Sequence, residues 1–459
     1  MPLSNWRAFV VGAGLWSITS CAGSPPWAGP TTPTPALVER GRQIFFNETF
    51  GGNGRTCGTC HRADDNFGLS PDFISRLAAN DPLFVAETSP ALKTGFEAPK
   101  QMRANALIRE NVDGFDDLNR KFVLRGIPHT LALKTSVVSR DGPHTGWGGD
   151  GAPGDGTVRA FSMGAVIQHF TKTLARVPGE DFRLPRDDEL DALEAFMLAT
   201  GRQQDLALPL ALTDKTAARG QTLFMDDKVG RCNICHSNAG ANGNPATFGS
   251  VVGNLRFNTG MVNLTDIPGN LLGDPVPPGD DGFGIPGDGT FNTPALVEAA
   301  DTGPFFHNNA RATIEAAVAA YNSPAFNNSP AGQVIRATTG SPIALDAGQV
   351  QAIAAFLRVI NALENVRQSE AYLVGTAAAG GREGALHLAA VEAEDAVEVL
   401  SAAKLHADAM SDLKRAIKLL KSYSSRKPSQ ADVDAALTAL RSARGRMLAA
   451  APPAPISGR

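Results

Sequence analysis

Apolar residues recur three and four apart in DELDALEAFMLATG (188–201), at Leu190, Leu193, Phe196 and Met197. That spacing predicts a helix with one buried face. The stretch GQVQAIAAFLRVIN (348–361) repeats it with Val350, Ile353, Phe356 and Leu357. Two shorter helix signals stand far upstream, ERGRQIFF and AARGQTLF, each with phenylalanine on the inner face. The segments between correspond as well. GIPHTLAL (126–133) pairs with NTPALVEA (292–299), and SMGAVIQHF (162–170) with TIEAAVAAY (313–321). Self-similarity over this length marks a duplicated folding unit. One unit spans about 36–205 and the second 206–371. Period-two alternation is scarce, so the expected class is all-α with long loops, which 47 glycines and 31 prolines would supply.

The flanks differ. GTAAAGGREG (375–384) reads as a hinge-like break. The alanine-rich run from Ala385 to Tyr423 then predicts one amphipathic helix, and SQADVDAALTALRSARGRMLAA a second with a serine cap. Residues 372–459 thus form a helical hairpin packed on the lobes or on a partner, with His387 and His406 on its solvated face. At the other end, residues 1–20 read as an export signal. Small residues around Cys21 fit a lipoprotein cleavage site, with an ordinary secretory signal as the alternative. Residues 21–35 are a proline-rich tether. No later run reaches the roughly 18 apolar residues needed to span a bilayer. The expected location is periplasmic, with membrane contact only through a lipid on Cys21. Net charge is −4 without a basic run, which argues against nucleic acid as a partner.

Four of the five cysteines stand in two matching stretches, GRTCGTCHRADD and GRCNICHSNAG. Each is Cys-x-x-Cys-His: Cys57, Cys60 and His61, then Cys232, Cys235 and His236. This spacing sets two sulfurs along one porphyrin edge and swings the histidine under the iron, the attachment of a c-type haem. A zinc ribbon wants its two pairs about 15–20 residues apart, and these lie far beyond that. A thioredoxin motif wants strand–helix–strand context, which is absent. Two covalently bound haem c groups are the expected cofactors.

With those residues in hand, the chain resembles the bacterial di-haem cytochrome c peroxidase family over about 36–370, and more narrowly its MauG-like branch. The stretches that carry the resemblance are the two clamps, RGIPHTL, GWGGDG, FNTPALVEAADTGPFFHNN and TIEAAVAAY. The family's peroxidases place a methionine ligand fourteen residues after the histidine of this last-but-one motif. Here that histidine is His307 and the matching position is Tyr321, as in MauG-like proteins. Met261 is the fallback ligand. A thioether favours ferrous iron and a phenolate ferric iron. Through the internal repeat Tyr321 matches Phe170, which cannot bind iron, so the resemblance implies an open first haem. His169 beside it is a distal acid–base group, a sixth ligand or a satisfied helix histidine. The family's distal acid is a glutamate, and Glu180 is a weak candidate for it. Trp147 matches the tryptophan between the haems. The family's calcium ion would take Thr302 and Pro304, with Gly126 standing where relatives carry asparagine.

The resemblance implies an oxidoreductase that reacts with hydrogen peroxide. It would either reduce peroxide with electrons from a small redox protein, a cytochrome c or cupredoxin, or oxidise a partner protein in the MauG manner. Its site residues would be Trp147, His169 and Phe170. Two other classes compete. A di-haem electron-transfer cytochrome would have both irons six-coordinate, and a haem-based sensor would use the C-terminal helices as output.

Overall fold

The computed structural model describes residues 33–151, 154–250, 252–264, 266–270, 279–375, 382–421 and 429–449. The export signal, Cys21, most of the tether and the core of the hinge-like break lie outside the described residues. The chain is mostly helical, 51%, with a few short strands. No described helix is long and apolar enough to cross a membrane.

Each half is built on one helix crossing. The helix Pro35–Asn47 starts at Thr34, whose hydroxyl accepts from the Leu37 amide, with proline in its first turn. It packs on the helix Asp187–Ala199. At the crossing Gly41 leaves so little room that a Cβ would stand 1.8 Å from the Ala192 carbonyl oxygen. One turn on, Phe45 meets Phe196 with ring centroids 5.2 Å apart. The second half repeats this in detail. The helix Lys215–Met225, capped by Asp214, meets the helix Ala347–Gly375. A Cβ on Gly220 would stand 1.8 Å from the Ala352 carbonyl oxygen, and Phe224 meets Phe356 at 5.3 Å.

Two features depart from the sequence reading. Leu107–Glu110 and Val123–Gly126 form an antiparallel ladder, Leu107 opposite Gly126 and Glu110 opposite Val123. Both strands are covered on both faces, so no alternation marks them. The C-terminal helix of the second half also runs far past Asn361, to Gly375. Its later turns bury Asn361, Glu364, Asn365, Gln368 and Ser369, so the hydrophobic pattern fades although the helix continues.

The expected hairpin is instead a unit of three helices, Arg382–Ala402, Ala407–Lys421 and Gln430–Met447. The predicted single helix breaks because Lys404 and His406 take left-handed backbone, with φ 55° and 49°. The Leu405 amide closes the turn on the Leu400 carbonyl. His406 therefore sits in a turn, while His387 is exposed on its helix. The unit docks on the second half through an alanine-rich core. Backbone bonds from Thr213 N to Met447 O and from Ala449 N to Ala211 O seal it.

Candidate haem sites

Both clamps fold alike. Cys57–Cys60 and Cys232–Cys235 are single helical turns, closed by the His61 amide on Cys57 O at 3.0 Å and the His236 amide on Cys232 O at 2.9 Å. The four thiols are free of disulfides. Burial pushes Cys60 up to about 11 and Cys57, Cys232 and Cys235 up to about 12. His61 Nδ1 lies 3.0 Å from Phe67 O, and His236 Nδ1 3.1 Å from Pro294 O. A carbonyl only accepts, so each Nδ1 carries the proton and each Nε2 keeps a free lone pair. Burial holds both imidazoles below the usual range, His236 down to about 4. Neutral imidazole is the form that binds iron. The residues present fit two covalently held haems.

At the second clamp a cavity encloses about 1220 Å³ of empty space, part of it open to solvent, walled mostly by apolar side chains. Cys232, Cys235, His236, Trp147, His307 and Tyr321 all line it. Tyr321 caps the helix Ile314–Ala320. Its ring packs edge-on to Phe326 at 4.8 Å and against Phe306 at 6.0 Å. Burial, with the Cys235 and Cys232 thiols beside it, pushes its phenol above the usual range. Met261 is buried in the core beside Ile234 and Phe326 and is not among the residues lining the cavity. Trp147 donates its indole N–H to Gly126 O at 2.7 Å. It meets His307 edge-on at 6.3 Å, and His307 stacks on Phe291 at 3.6 Å. The indole thus rims the second cavity while tied to the strand that pairs with Leu107–Glu110.

At the first clamp His169 ends the helix Val158–His169, and Phe170 caps it, as Tyr321 caps its counterpart. Asn53, just ahead of the clamp, stitches this helix end in place. Its side chain donates to His169 O and Thr171 O, both at 2.9 Å. Phe170 is buried against Phe50 at 5.8 Å, in the same core as Cys57. His169 Nδ1 lies 3.8 Å from Glu97 Oε1, and Nε2 3.9 Å from Glu110 Oε1. Burial would raise Glu97, but the Arg55 guanidinium, paired at 2.5 and 2.8 Å, holds it down at about 2. Glu180 is exposed in a surface turn. Sequence reasoning missed Glu97 and Glu110. The one local signal was Arg55, two residues before the clamp, which is fully buried and so requires an anion.

The calcium positions are less complete. Calcium wants about six or more oxygens. Thr302 turns its hydroxyl to Glu298 O, Pro304 follows two residues on, and Gly126 brings no side chain. A Cβ there would meet the Asn309 amide oxygen at 2.1 Å. Among the described residues no three His, Cys, Asp or Glu side chains form a group that could hold a metal ion.

No family model matches the chain, and no curated protein matches it. Solved structures give partial likenesses. The chain is 16% identical to a MauG-like protein associated with microbial copper homeostasis, over 75% of this chain and 94% of that one, with a TM-score of 0.38. It is 19% identical to the diheme peroxidase BthA from Burkholderia thailandensis, over 73% and 88%, with a TM-score of 0.35. It is 16% identical to hydrazine synthase of Kuenenia stuttgartiensis, over 75% and 98%, with a TM-score of 0.38.

Proposed function

We propose that the protein is a di-haem c-type oxidoreductase that reacts with hydrogen peroxide at its first haem. The observation that carries this is an asymmetry between matched positions. Tyr321 opens on the second cavity, whereas its counterpart Phe170 has no donor atom and stands next to His169 between two carboxylates. Bound haem would supply the electron chemistry. The chain's residues do the rest. His61 and His236 would hold the haem irons through Nε2, and the four clamp cysteines would supply the thioethers. Tyr321, lining the same cavity as His236, would be a further ligand of the second haem. A haem iron there would favour the phenolate form of Tyr321. Phe170 leaves the first side open and excludes water.

His169 holds and moves a proton at Nε2, beside Glu110, while Glu97 is fixed as an anion by Arg55. Peroxide takes up two electrons and two protons and leaves as two waters. Trp147, on the rim of the second cavity, would serve as an electron stepping stone between the haems. The electrons come from a small redox protein, a cytochrome c or cupredoxin. Tyr321 favours, as a second reading, a side chain of a partner protein as donor, because an anionic ligand favours oxidised states. We place the protein in the periplasm, held to a membrane by a lipid on Cys21.

The test is the paramagnetic resonance spectrum of the purified ferric protein, followed by peroxide addition. The reading expects a high-spin signal, a separate low-spin histidine/tyrosine signal, and loss of the high-spin signal with peroxide. Two low-spin signals and no reaction would leave an electron carrier.

A further inference from the structure

The glycine- and proline-rich composition of the acidic stretch 273–289 assigns it to solvent. Asp280 within it is buried, its side chain 6% exposed. Its carboxylate accepts two hydrogen bonds from Arg125, from Nε at 3.0 Å and Nη2 at 2.9 Å. Arg125 lies on the Val123–Gly126 strand and is 3% exposed. Its remaining nitrogen, Nη1, faces Glu110 at 3.5 Å on the paired strand. Glu110 in turn faces His169 Nε2. On its other side Asp280 faces His307 Nε2 at 3.9 Å, an atom without a hydrogen-bond partner, and the His307 ring lines the second cavity.

A loop of the second half thus places a buried anion, Asp280, on the arginine that faces the first site's carboxylate. A guanidinium keeps its proton, so this string positions charges and does not conduct protons. Arg125 is shared between two carboxylates in a fixed order: the fork goes to Asp280, the remaining amine to Glu110. Remove the Asp280 charge, and the buried guanidinium has Glu110 as its nearest carboxylate. A buried cation recruits such a partner strongly. Glu110 would be drawn into the fork and away from His169.

We infer that Asp280 is a positioning residue for the first haem site: acting through Arg125 from the second half, it fixes Glu110 beside His169. This rests on the reading of that site as the peroxide site. The other charges near the string are Asp150 beside Arg125, and Glu97 beyond His169 with Arg55 and Arg176 around it.

The experiment uses the holoprotein and the variants Asp280→Asn, Asp280→Glu, Glu110→Gln and the Asn/Gln double. Two readouts are taken across pH: the rate of peroxide reaction at the first haem, and the affinity of the ferric protein for fluoride, which reports hydrogen bonding at the open iron without turnover. Asp280→Asn is expected to slow the reaction about tenfold, part of the hundredfold or more that a placed proton group contributes. It should also shift the pH profile and weaken fluoride. Asp280→Glu should restore most of both. The double variant should be no slower than Glu110→Gln alone, because the two act in one chain. Wild-type values for Asp280→Asn, or a double loss equal to the product of the singles, would overturn the inference. Should Asp280→Asn lose haem, Arg125→Lys, which keeps the charge but not the fork, carries the same expectation. If the wild type ignores peroxide, the functional reading fails, while fluoride still decides the positioning.

Discussion

Gly220→Ala should destabilise the protein although alanine is the better helix former. The added Cβ would stand 1.8 Å from Ala352 O, 2.4 Å from Ala352 C and 3.0 Å from Ile353 N. All three are backbone atoms of the facing helix, so no side chain can rotate away. Real Cβ contacts stay above 3.0 Å, so the helices must part by more than 1 Å. A gap of about 1 Å forfeits up to half of each dispersion contact it opens, and the Phe224–Phe356 contact lies one turn away. Overpacking of this kind costs about 1–3 kcal/mol. The parting of two whole helices puts this site at the upper end. Alanine returns about 1 kcal/mol of helix propensity, leaving a net loss of about 2 kcal/mol. Gly445 supplies the control. It lies inside the helix Gln430–Met447 with nothing within 4 Å of its Cβ position, so Gly445→Ala should gain up to about 1 kcal/mol. Urea unfolding of the holoproteins, followed by helical circular dichroism, measures both. The reasoning fails if Gly220→Ala unfolds at the same or a higher urea concentration than Gly445→Ala.

Further outcomes follow from the sites and the seam beside them. Tyr321→Met should raise the midpoint potential of the second haem, since a neutral thioether replaces an anion; an unchanged potential in spectroelectrochemistry counts against ligation. Cys57→Ser with Cys60→Ser should leave one covalent haem per chain instead of two, read by mass spectrometry of the denatured protein. Glu298 and Glu392 are buried with unpaired carboxyl oxygens beside the docked C-terminal helices. Burial, then Glu364, pushes Glu298 up to about 8, and burial, then Asp395, pushes Glu392 well above the usual range. The folded state therefore binds the extra protons. Stability from this seam is complete below the ordinary carboxylate range and falls as pH rises toward about 8, by at most about 1.4 kcal/mol per pH unit for each carboxyl. Urea midpoints should drop between pH 6 and 9, and Glu392→Gln should flatten the drop. A midpoint that rises over this range contradicts the assignment.

What the sequence disclosed was local. Cys-x-x-Cys-His fits within one helical turn, so both clamps are readable without knowing the fold. Gly41 with Phe45 and Gly220 with Phe224 keep the four-residue spacing that puts a gap and a ring on one helix face, so the crossings were readable too. Glu97, Glu110, Arg125 and Asp280 are far apart in sequence and share only a tertiary neighbourhood. Nothing in their local context separates them from solvated charges. Glycine and proline around Asp280 pointed to solvent, and the buried Arg125 overrode them. The break at 404–406 was hidden because non-glycine residues, Lys404 and His406, take the left-handed backbone.

The duplicated frame narrows where the functional difference can lie. The two halves share a glycine crossing, a phenylalanine contact and a clamp turn. They also share an imidazole held by a backbone carbonyl and an aromatic residue capping the helix that follows. Shared features set His61 and His236 in matching surroundings, so under the proposed reading none of them would make one haem differ from the other. The unshared features are one hydroxyl, present on Tyr321 and absent from Phe170, and the buried charges gathered around His169. The hydroxyl bears on which face of an iron is filled, and the charges bear on where protons wait. A site that cleaves peroxide needs an open face and a proton source together. Under the proposed reading both differences point to the first half, and the inferred role of Asp280 would make that half depend on the second.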